Sequence, residues 1–437
     1  MWKRTLWQLA VAAGLLIPAS WATAGGPPPD GALAALVSET LAGNPRVQAA
    51  AAALAAGEAR QRGAEQPLYN PELEADFEKA DVRTSSVGLR QAIDWTDKRE
   101  ALGGIAAAER EALAAELADV RQALAAELLS SLVDFHTRLE LERLAGQRTE
   151  LTGQFLAVAR RRHEAGDLPQ VEVDMAQLAA QQALILKAKA TTARVEAVQD
   201  LVALTGGQRP AWPALPEVVP EAVPAAMPGA MPDAVTDDPA VDPGMDLLRL
   251  PALRAQQARI NAARQTVRLK RRESRPDPTI GVRGGREDSE GLVGVTFSIP
   301  LFIRNDFKAG VAAADAEAAS AGSRLQDMAR QARARLVSTS ERYRLTREAW
   351  LAWREAGEFS LQRQTTLLQR LWQAGELSTT DYLVQLAQSL DTQADATELH
   401  GDLWHAWVDW LAASGGVESW LGLEASATTV SRTGIAP

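Results

Sequence analysis

The sequence contains no cysteine. That excludes disulfides, thiolate metal centres and a lipid-modified N-terminal cysteine, and it suits an oxidising compartment. Aromatic residues make up only 5% of the 437 positions, and lysine and arginine (46) are outnumbered by aspartate and glutamate (56), for a net charge of −10. A deficit of positive charge argues against nucleic acid as a partner, because phosphate binding needs clustered Lys and Arg. The four histidines, His136, His163, His400 and His405, are scattered. His400 and His405 lie five apart rather than at the i,i+4 spacing of a helical zinc pair, and there is no HExxH. No Gly-rich loop ends in GK[ST], so a nucleotide-driven engine is missing, and no acid, base and nucleophile converge. The sequence therefore predicts no enzyme, no cofactor and no bound metal.

Long apolar runs are also missing beyond the N-terminus. There, Lys3-Arg4 precede an apolar stretch from Leu6 to Ile17, Pro18 ends it, and Ala22-Thr23-Ala24 fits a small-x-small cleavage site. Residues 1–24 read as a removed signal peptide, with an uncleaved anchor helix as the alternative. No other stretch reaches the ~18 uninterrupted apolar residues of a membrane helix. If the exported chain crosses a membrane, it does so as strands.

Against a background of Ala-rich helix, one stretch changes alphabet. From Arg275 to Asn305, Ile280, Val282 and Gly284 alternate with Thr279, Gly281 and Arg283. After a polar turn at 287–290, Val293, Val295, Phe297 and Ile299 alternate with Gly294, Thr296 and Ser298. Such period-two patterning predicts a strand pair, each strand of about the length a tilted strand needs to cross a bilayer. The chain contains the pattern twice. Between Asn70 and Arg99, Leu73, Ala75 and Phe77 alternate with Glu72, Glu74, Asp76 and Glu78, and Val87, Leu89 and Ile93 with Gly88, Arg90 and Ala92. Pro71 matches Pro278, Gly88 matches Gly294, and Lys98 matches Arg304. Ala165-Gly166-Asp167-Leu168 matches Ala374-Gly375-Glu376-Leu377, and Leu204-Thr205-Gly206 matches Ala413-Ser414-Gly415. A repeat this long means two structural halves rather than a short solenoid unit.

The expected division is a first half at 25–207 (helix, hairpin 70–98, long helical hairpin with its tip at 165–169). A linker at 208–245 follows, then a second half at 246–415 (hairpin 276–300, tip 374–379) and a disordered tail at 416–437. Between Arg99 and about His163 no proline interrupts helix-favouring sequence. Some 65 residues at ~1.5 Å each make a rod of about 98 Å, which needs a long partner to pack on. Gly at the tips stops each rod, and Pro169 starts the first return helix. A second rod is expected from Asn305 to about Ala374, with a return helix to Ala413. Nine prolines from Pro210 to Pro243 exclude regular helix from the linker, and Met227 and Met231 within it read as apolar filler. Trp404, Trp407 and Leu411, at helical spacing with His400, read as core packing.

Four membrane-length strands cannot close a barrel, and open edges are forbidden in hydrocarbon. Two copies would give eight strands with a filled interior; three would give twelve, the smallest multiple that leaves a lumen. Glu72, Glu74, Asp76, Glu78, Arg90, Arg283, Thr296 and Ser298 form the candidate wetted face. The same alternation would also suit a soluble hairpin packed on a helix, in a periplasmic coiled-coil scaffold or adaptor.

With hairpins, rods, Gly turns and duplication in place, the chain resembles the outer membrane efflux protein family, the TolC-like channels, over roughly Leu33 to Gly415. The segments Val87–Glu100 and Phe297–Ala318 look like the CzcC-like subgroup serving heavy-metal efflux. The resemblance implies a mainly α fold with membrane β. Long antiparallel helical hairpins would build a periplasmic α-helical tunnel, and four strands per chain a trimeric twelve-strand outer membrane β-barrel. It implies as partners a homotrimer, outer membrane lipid, a periplasmic adaptor (membrane fusion protein) and an inner-membrane RND transporter. The cargo would be divalent heavy-metal cations, with drug efflux or type I protein secretion as alternatives. In such channels acidic side chains past the Gly turns gate the entrance. Carried over to Gly166 and Gly375, that role falls on Glu172 and Asp381, six residues beyond each glycine; both positions also suit the first turn of a helix. Some relatives brace the second turn with an Arg where this chain has Leu377; here the bracing is either built differently, through Arg370 or Arg363, or absent.

Overall fold

The computed structural model describes residues 31–79, 83–216, 247–374 and 376–423. The segment expected to be a signal peptide, Gly375, most of the Pro-rich linker and the tail from residue 424 lie outside the described residues. The chain opens with α1 (Gly31–Gly43) and α2 (Pro45–Ala64). Pro45 breaks the helix because it has no N–H to donate, and it is tolerated as the first residue of the next one. Asn44 caps that joint: its Oδ1 accepts from Arg46 N at 2.9 Å, and its Nδ2 donates to Leu204 O at 3.0 Å.

Strands β1 (Glu72–Lys79) and β2 (Arg83–Ala92) lead into α3 (Lys98–Glu164), which folds back as α4 (Gln170–Thr205). The second half repeats the order with α5 (Pro251–Glu273), β3 (Thr279–Glu287), β4 (Glu290–Ser298), α6 (Lys308–Ala352), α7 (Glu358–Gln373) and α8 (Thr379–Ser414). The α3 rod holds 67 residues, about 100 Å of helix. Alone it would be a marginal structure, and α2, α4, α5 and α8 all pack along it.

Three details depart from the sequence reading. The second rod is not one regular helix: a π-helical turn at Trp353–Gly357 joins α6 to α7. A Cβ on Gly357 would run into the Trp353 ring, so the wide turn depends on a residue without one. Lys98 finds its structural counterpart in Lys308 rather than Arg304, since the second half spends four more residues between strand and helix. Both elbows turn on a residue with left-handed backbone, Asp97 (φ 59°) and Phe307 (φ 58°). The tail expected at 416–437 is ordered as far as Leu423: Val417–Trp420 form α9, Trp420 and Leu421 are buried, and Glu418 pairs with Arg121 at 3.0 Å. Burying an indole and a leucine contributes roughly 1.5–3 kcal/mol each, enough to order a short segment.

The main core is a girdle around the middle of the rods. Leu33, Leu36, Val37 and Leu41 of α1 meet Leu124, Leu128, Leu129, Leu132 and Val133 of α3 and Leu403, Trp404, Trp407 and Leu411 of α8. The tryptophan stripe is thus core, with Trp407 fully buried and its ring 5.2 Å from that of Tyr343. The chain has only three tyrosines, and all three are held protonated. Burial pushes Tyr343 up to about 12 and raises Tyr382. Burial, the Asp277 hydrogen bond and its charge push Tyr69 up to about 12. A group raised in the folded state stabilises it fully below the unfolded pKa and loses that contribution as pH rises through the folded one. Tyr69 and Tyr343 should therefore ionise only near pH 12, together with loss of helical circular dichroism. A smooth titration centred on 10 in the folded protein would contradict this packing.

Candidate functional site

The site residues expected from the sequence lie in two places: the four-stranded sheet at one end of the rods and the helical tips at the other. The sheet has the order β1-β2-β3-β4, with every neighbouring pair antiparallel. Paired residues share a face, so register sorts the side chains. One face carries four rows: Glu72, Arg90, Gly281 and Thr296; then Glu74, Gly88, Arg283 and Gly294; then Asp76, Ser86, Gly285 and Leu292; then Glu78, Thr84, Glu287 and Glu290. Glu72, Glu74, Asp76, Arg90 and Arg283 are thereby brought onto one surface. The opposite face holds Leu73, Ala75, Phe77, Val87, Leu89, Val282, Val293, Val295 and Phe297.

The apolar face is the open one. Phe77 is 83% exposed, Val293 89% and Val295 74%, and no helix covers them. The polar face is the crowded one. A Cβ on Gly285 would collide with Ser85 O, one on Gly281 with Thr296 Oγ1, and one on Gly88 would lie 3.0 Å from Val282 O. On the apolar face a Cβ on Gly284 meets nothing nearer than 3.9 Å. Glycines crowded on one side and free on the other describe a sheet curled with its polar face concave. Arg90 bridges Glu72 and Glu74, both at 3.3 Å. Acid and arginine balance in the first two rows, a lone aspartate occupies the third, and three glutamates with no base occupy the row furthest from the helices. No helix among the described residues is long and apolar enough to cross a membrane.

Sheet and rods are joined by a buried charge cluster that sequence reasoning missed. Lys98 Nζ lies 2.8 Å from Asp277 Oδ2 and donates to Arg275 O at 3.1 Å, while the Tyr69 hydroxyl donates to the same carboxylate. The side chains of Lys98 and Asp277 are only 10% and 8% exposed. Trp95 Nε1 donates to Pro276 O at 2.8 Å, closing the junction from the other side. These partners lie 177 to 208 residues apart, beyond the reach of local pattern.

At the first tip Gly166 takes the left-handed conformation (φ 83°). Its N–H donates to His163 O, and Asp167 N donates to Arg162 O, both at 2.9 Å, a Schellman turn. The second tip makes the equivalent bond from Glu376 N to Leu371 O at 3.0 Å. The two return helices start side by side, with the Thr380 hydroxyl 3.8 Å from Met175 Sδ. Glu172 sits half-buried in the first turn of α4, and Asp381 exposed in the first turn of α8. The Ser378 hydroxyl accepts from Asp381 N at 3.1 Å and donates to its carboxylate at 2.6 Å, so Asp381 also helps start its helix.

Leu377 packs on a small apolar core under the tips that holds Phe155, Ala159, Ala176, Leu368, Trp372, Tyr382, Leu386 and Leu390. Within it the rings of Phe155, Trp372 and Tyr382 form a closed triad at 4.8, 5.0 and 5.4 Å. The Arg162 guanidinium lies 5.2 Å over Trp372. Arg363 covers the Phe359 ring instead of the turn. The one hint in the sequence was two aromatics flanking the second turn of a chain poor in them. Among the described residues no group of three His, Asp or Glu could hold a metal ion.

The model of the outer membrane efflux protein family matches residues 36–207 and 243–416, most of the chain. Among solved structures, the outer-membrane channel OprN is 17% identical with a TM-score of 0.71, covering 89% of this chain and 90% of its own. CusC is 16% identical with a TM-score of 0.71, covering 92% and 95%. The Campylobacter jejuni CmeC outer membrane channel is 14% identical with a TM-score of 0.72, covering 91% and 90%. At these identities the likeness is one of fold. No curated protein sequence matches the chain.

Proposed function

The chain belongs to the outer membrane efflux protein family, and from that premise we propose that it is the passive exit duct of an RND-type tripartite pump for divalent heavy-metal cations, of the CzcC-like kind. Members of this family are ducts rather than enzymes; the energy comes from the inner-membrane transporter. One observation carries the reading: a curled sheet whose exposed, convex side is apolar and whose concave side is charged. In water that arrangement leaves a large apolar patch uncovered, whereas lipid outside and water inside satisfy both faces. Both sheet edges are open, and hydrocarbon does not tolerate open edges. Three copies close twelve strands around a lumen, and the rods continue it as a tunnel to the adaptor and transporter. On this reading residues 25–207 and 246–415 are the two halves, and residues 1–24 the leader that exports the chain.

The choice of cation follows from the sign of the fixed charges. Glu172 and Asp381 would ring the entrance, and the glutamate row at the far end of the sheet would ring the exit. Rings of carboxylates lower the energy of a cation in a narrow pore and raise that of an anion. Asp381→Asn separates charge from helix capping, because Asn retains the hydrogen bonds to Ser378. The expected result in planar bilayers is a several-fold fall in cation-over-anion preference with the oligomer intact; unchanged selectivity removes Asp381 from the gate. Asp381→Ala should also loosen the helix start by roughly 0.5–1 kcal/mol. For the cargo, deletion of the gene should lower tolerance to zinc, cobalt and cadmium more than to dyes and detergents. The reverse pattern would assign the duct to drugs.

A further inference from the structure

We propose that Arg283 is an intersubunit staple: it reaches over Gly294 across the open edge of β4 and pairs with the acidic row of β1 in a second copy of this chain, centred on Asp76. The inference rests on the barrel reading above and names the contact that seals each seam. The two edges of the sheet differ in charge. β1 presents Glu72, Glu74, Asp76 and Glu78 on the concave face, whereas β4 presents Leu292, Gly294, Thr296 and Ser298 beyond its first residue. Inside the chain the first two acids already have their arginine, since Arg90 takes Glu72 and Glu74. Arg283 forms no ion pair among the described residues and is exposed.

Its direction is set by the glycines on either side. Towards β2, its nearest atoms to the place where a Cβ on Gly88 would stand are Cβ and Cα, at 3.1 and 3.5 Å. Towards β4, its Nε and Cγ lie 3.1 and 3.3 Å from the corresponding place on Gly294. The long arm of the side chain therefore runs over β4, along a path that only glycine leaves clear. Beyond β4 lies the gap where the next strand would stand, about 4.8 Å further on.

The duplication says which residue waits there. The matches Gly88 to Gly294 and Pro71 to Pro278 carry the internal β2–β3 junction onto the junction between β4 and β1 of the partner. Gly88 faces Arg283 within the chain, so Gly294 faces Asp76 of the partner subunit. The same mapping sets Val295 against Ala75 of the partner subunit and Val293 against Phe77 of the partner subunit. Apolar residues thus meet on the lipid side and charges on the lumen side, as they do in the chain itself up to the end furthest from the helices, where Lys79, Arg83 and Arg286 join the apolar face. An opposite-charge pair across neighbouring strands supports register as well as attachment.

The absence of cysteine makes the test clean. The purified full-length oligomer carrying Val295→Cys with Ala75→Cys should give an inter-chain ladder on denaturing gels after oxidation, and Val295→Cys with Leu73→Cys should not. Arg283→Glu should reduce the oligomer fraction several-fold at fixed detergent and temperature, and Arg283→Glu with Asp76→Arg should restore it. If the oligomer and the cross-link persist while Arg283→Glu changes nothing, or the swap fails to rescue, the staple is wrong and the barrel stands. A cross-link shifted to another partner of Val295 overturns the register. A wild-type chain that neither oligomerises nor cross-links takes the barrel reading with it.

Discussion

Lys98→Met is expected to cost about 3–5 kcal/mol, because it leaves the Asp277 carboxylate buried without its counter-charge. The geometry gives the carboxylate little to fall back on. Its Oδ2 receives both Lys98 and Tyr69, while its Oδ1 has no hydrogen-bond partner among the described residues. At 8% exposure water cannot replace the ammonium. The loss should be local in its first effect. Asp277 stands just before β3 and Lys98 opens α3, so the variant should loosen the angle between sheet and rods while the girdle around Trp407 survives. Limited proteolysis should then cut near the elbow at residues 93–98 under conditions where the parent is resistant, and urea unfolding should shift to lower concentration. Asp277→Asn with Lys98→Met, which removes both charges, should recover much of the loss. If the single variant is as stable and as protease-resistant as the parent, the pair is ornamental.

Lys98 also marks the limit of what could be read from the chain. Strand alternation is a local property, so the hairpins and the sorting of Glu72, Glu74, Asp76, Arg90 and Arg283 onto one face could be seen without coordinates. The rods could be seen too, since 67 residues without proline leave few other conformations. What escaped depends on partners distant in sequence. The Lys98–Asp277 pair, the order of residues 416–423 through Trp420, and the aromatic triad at the tips all join segments separated by tens to hundreds of residues. The π-helical turn escaped for a different reason: Trp353 and Gly357 meet only once the helix has already widened. Concavity was legible in hindsight. Gly88, Gly281, Gly285 and Gly294 all fall on the charged face, and that bias decides which side of the sheet is inner.

With the helical tips as the proposed entrance, Trp372→Ala should open it. Trp372 is 8% exposed and touches Phe155 of α3 and Tyr382 of α8, so one side chain ties the second coil to the first. Truncating a buried tryptophan costs roughly 3–5 kcal/mol, and each aromatic pair adds about 0.5–1.5 kcal/mol beyond area. Arg162 would lose its ring as well, a further ~0.5–1 kcal/mol at a half-exposed site. Leu377 offers the tips no charge, and Arg363 is occupied with Phe359. The main core lies far up the rods, so global unfolding should change little while hydrogen exchange rises sharply around residues 358–390. In bilayers the variant should conduct several-fold better at rest, and should do so equally at low and high salt, since an aromatic clasp is not screened as an ionic one is. A closed resting state that opens only when salt is raised would point to charge pairs instead. Trp372→Phe, which keeps a ring against Phe155 and Tyr382, should behave much like the parent; if it leaks as badly as Trp372→Ala, the clasp is not the stacking of these rings.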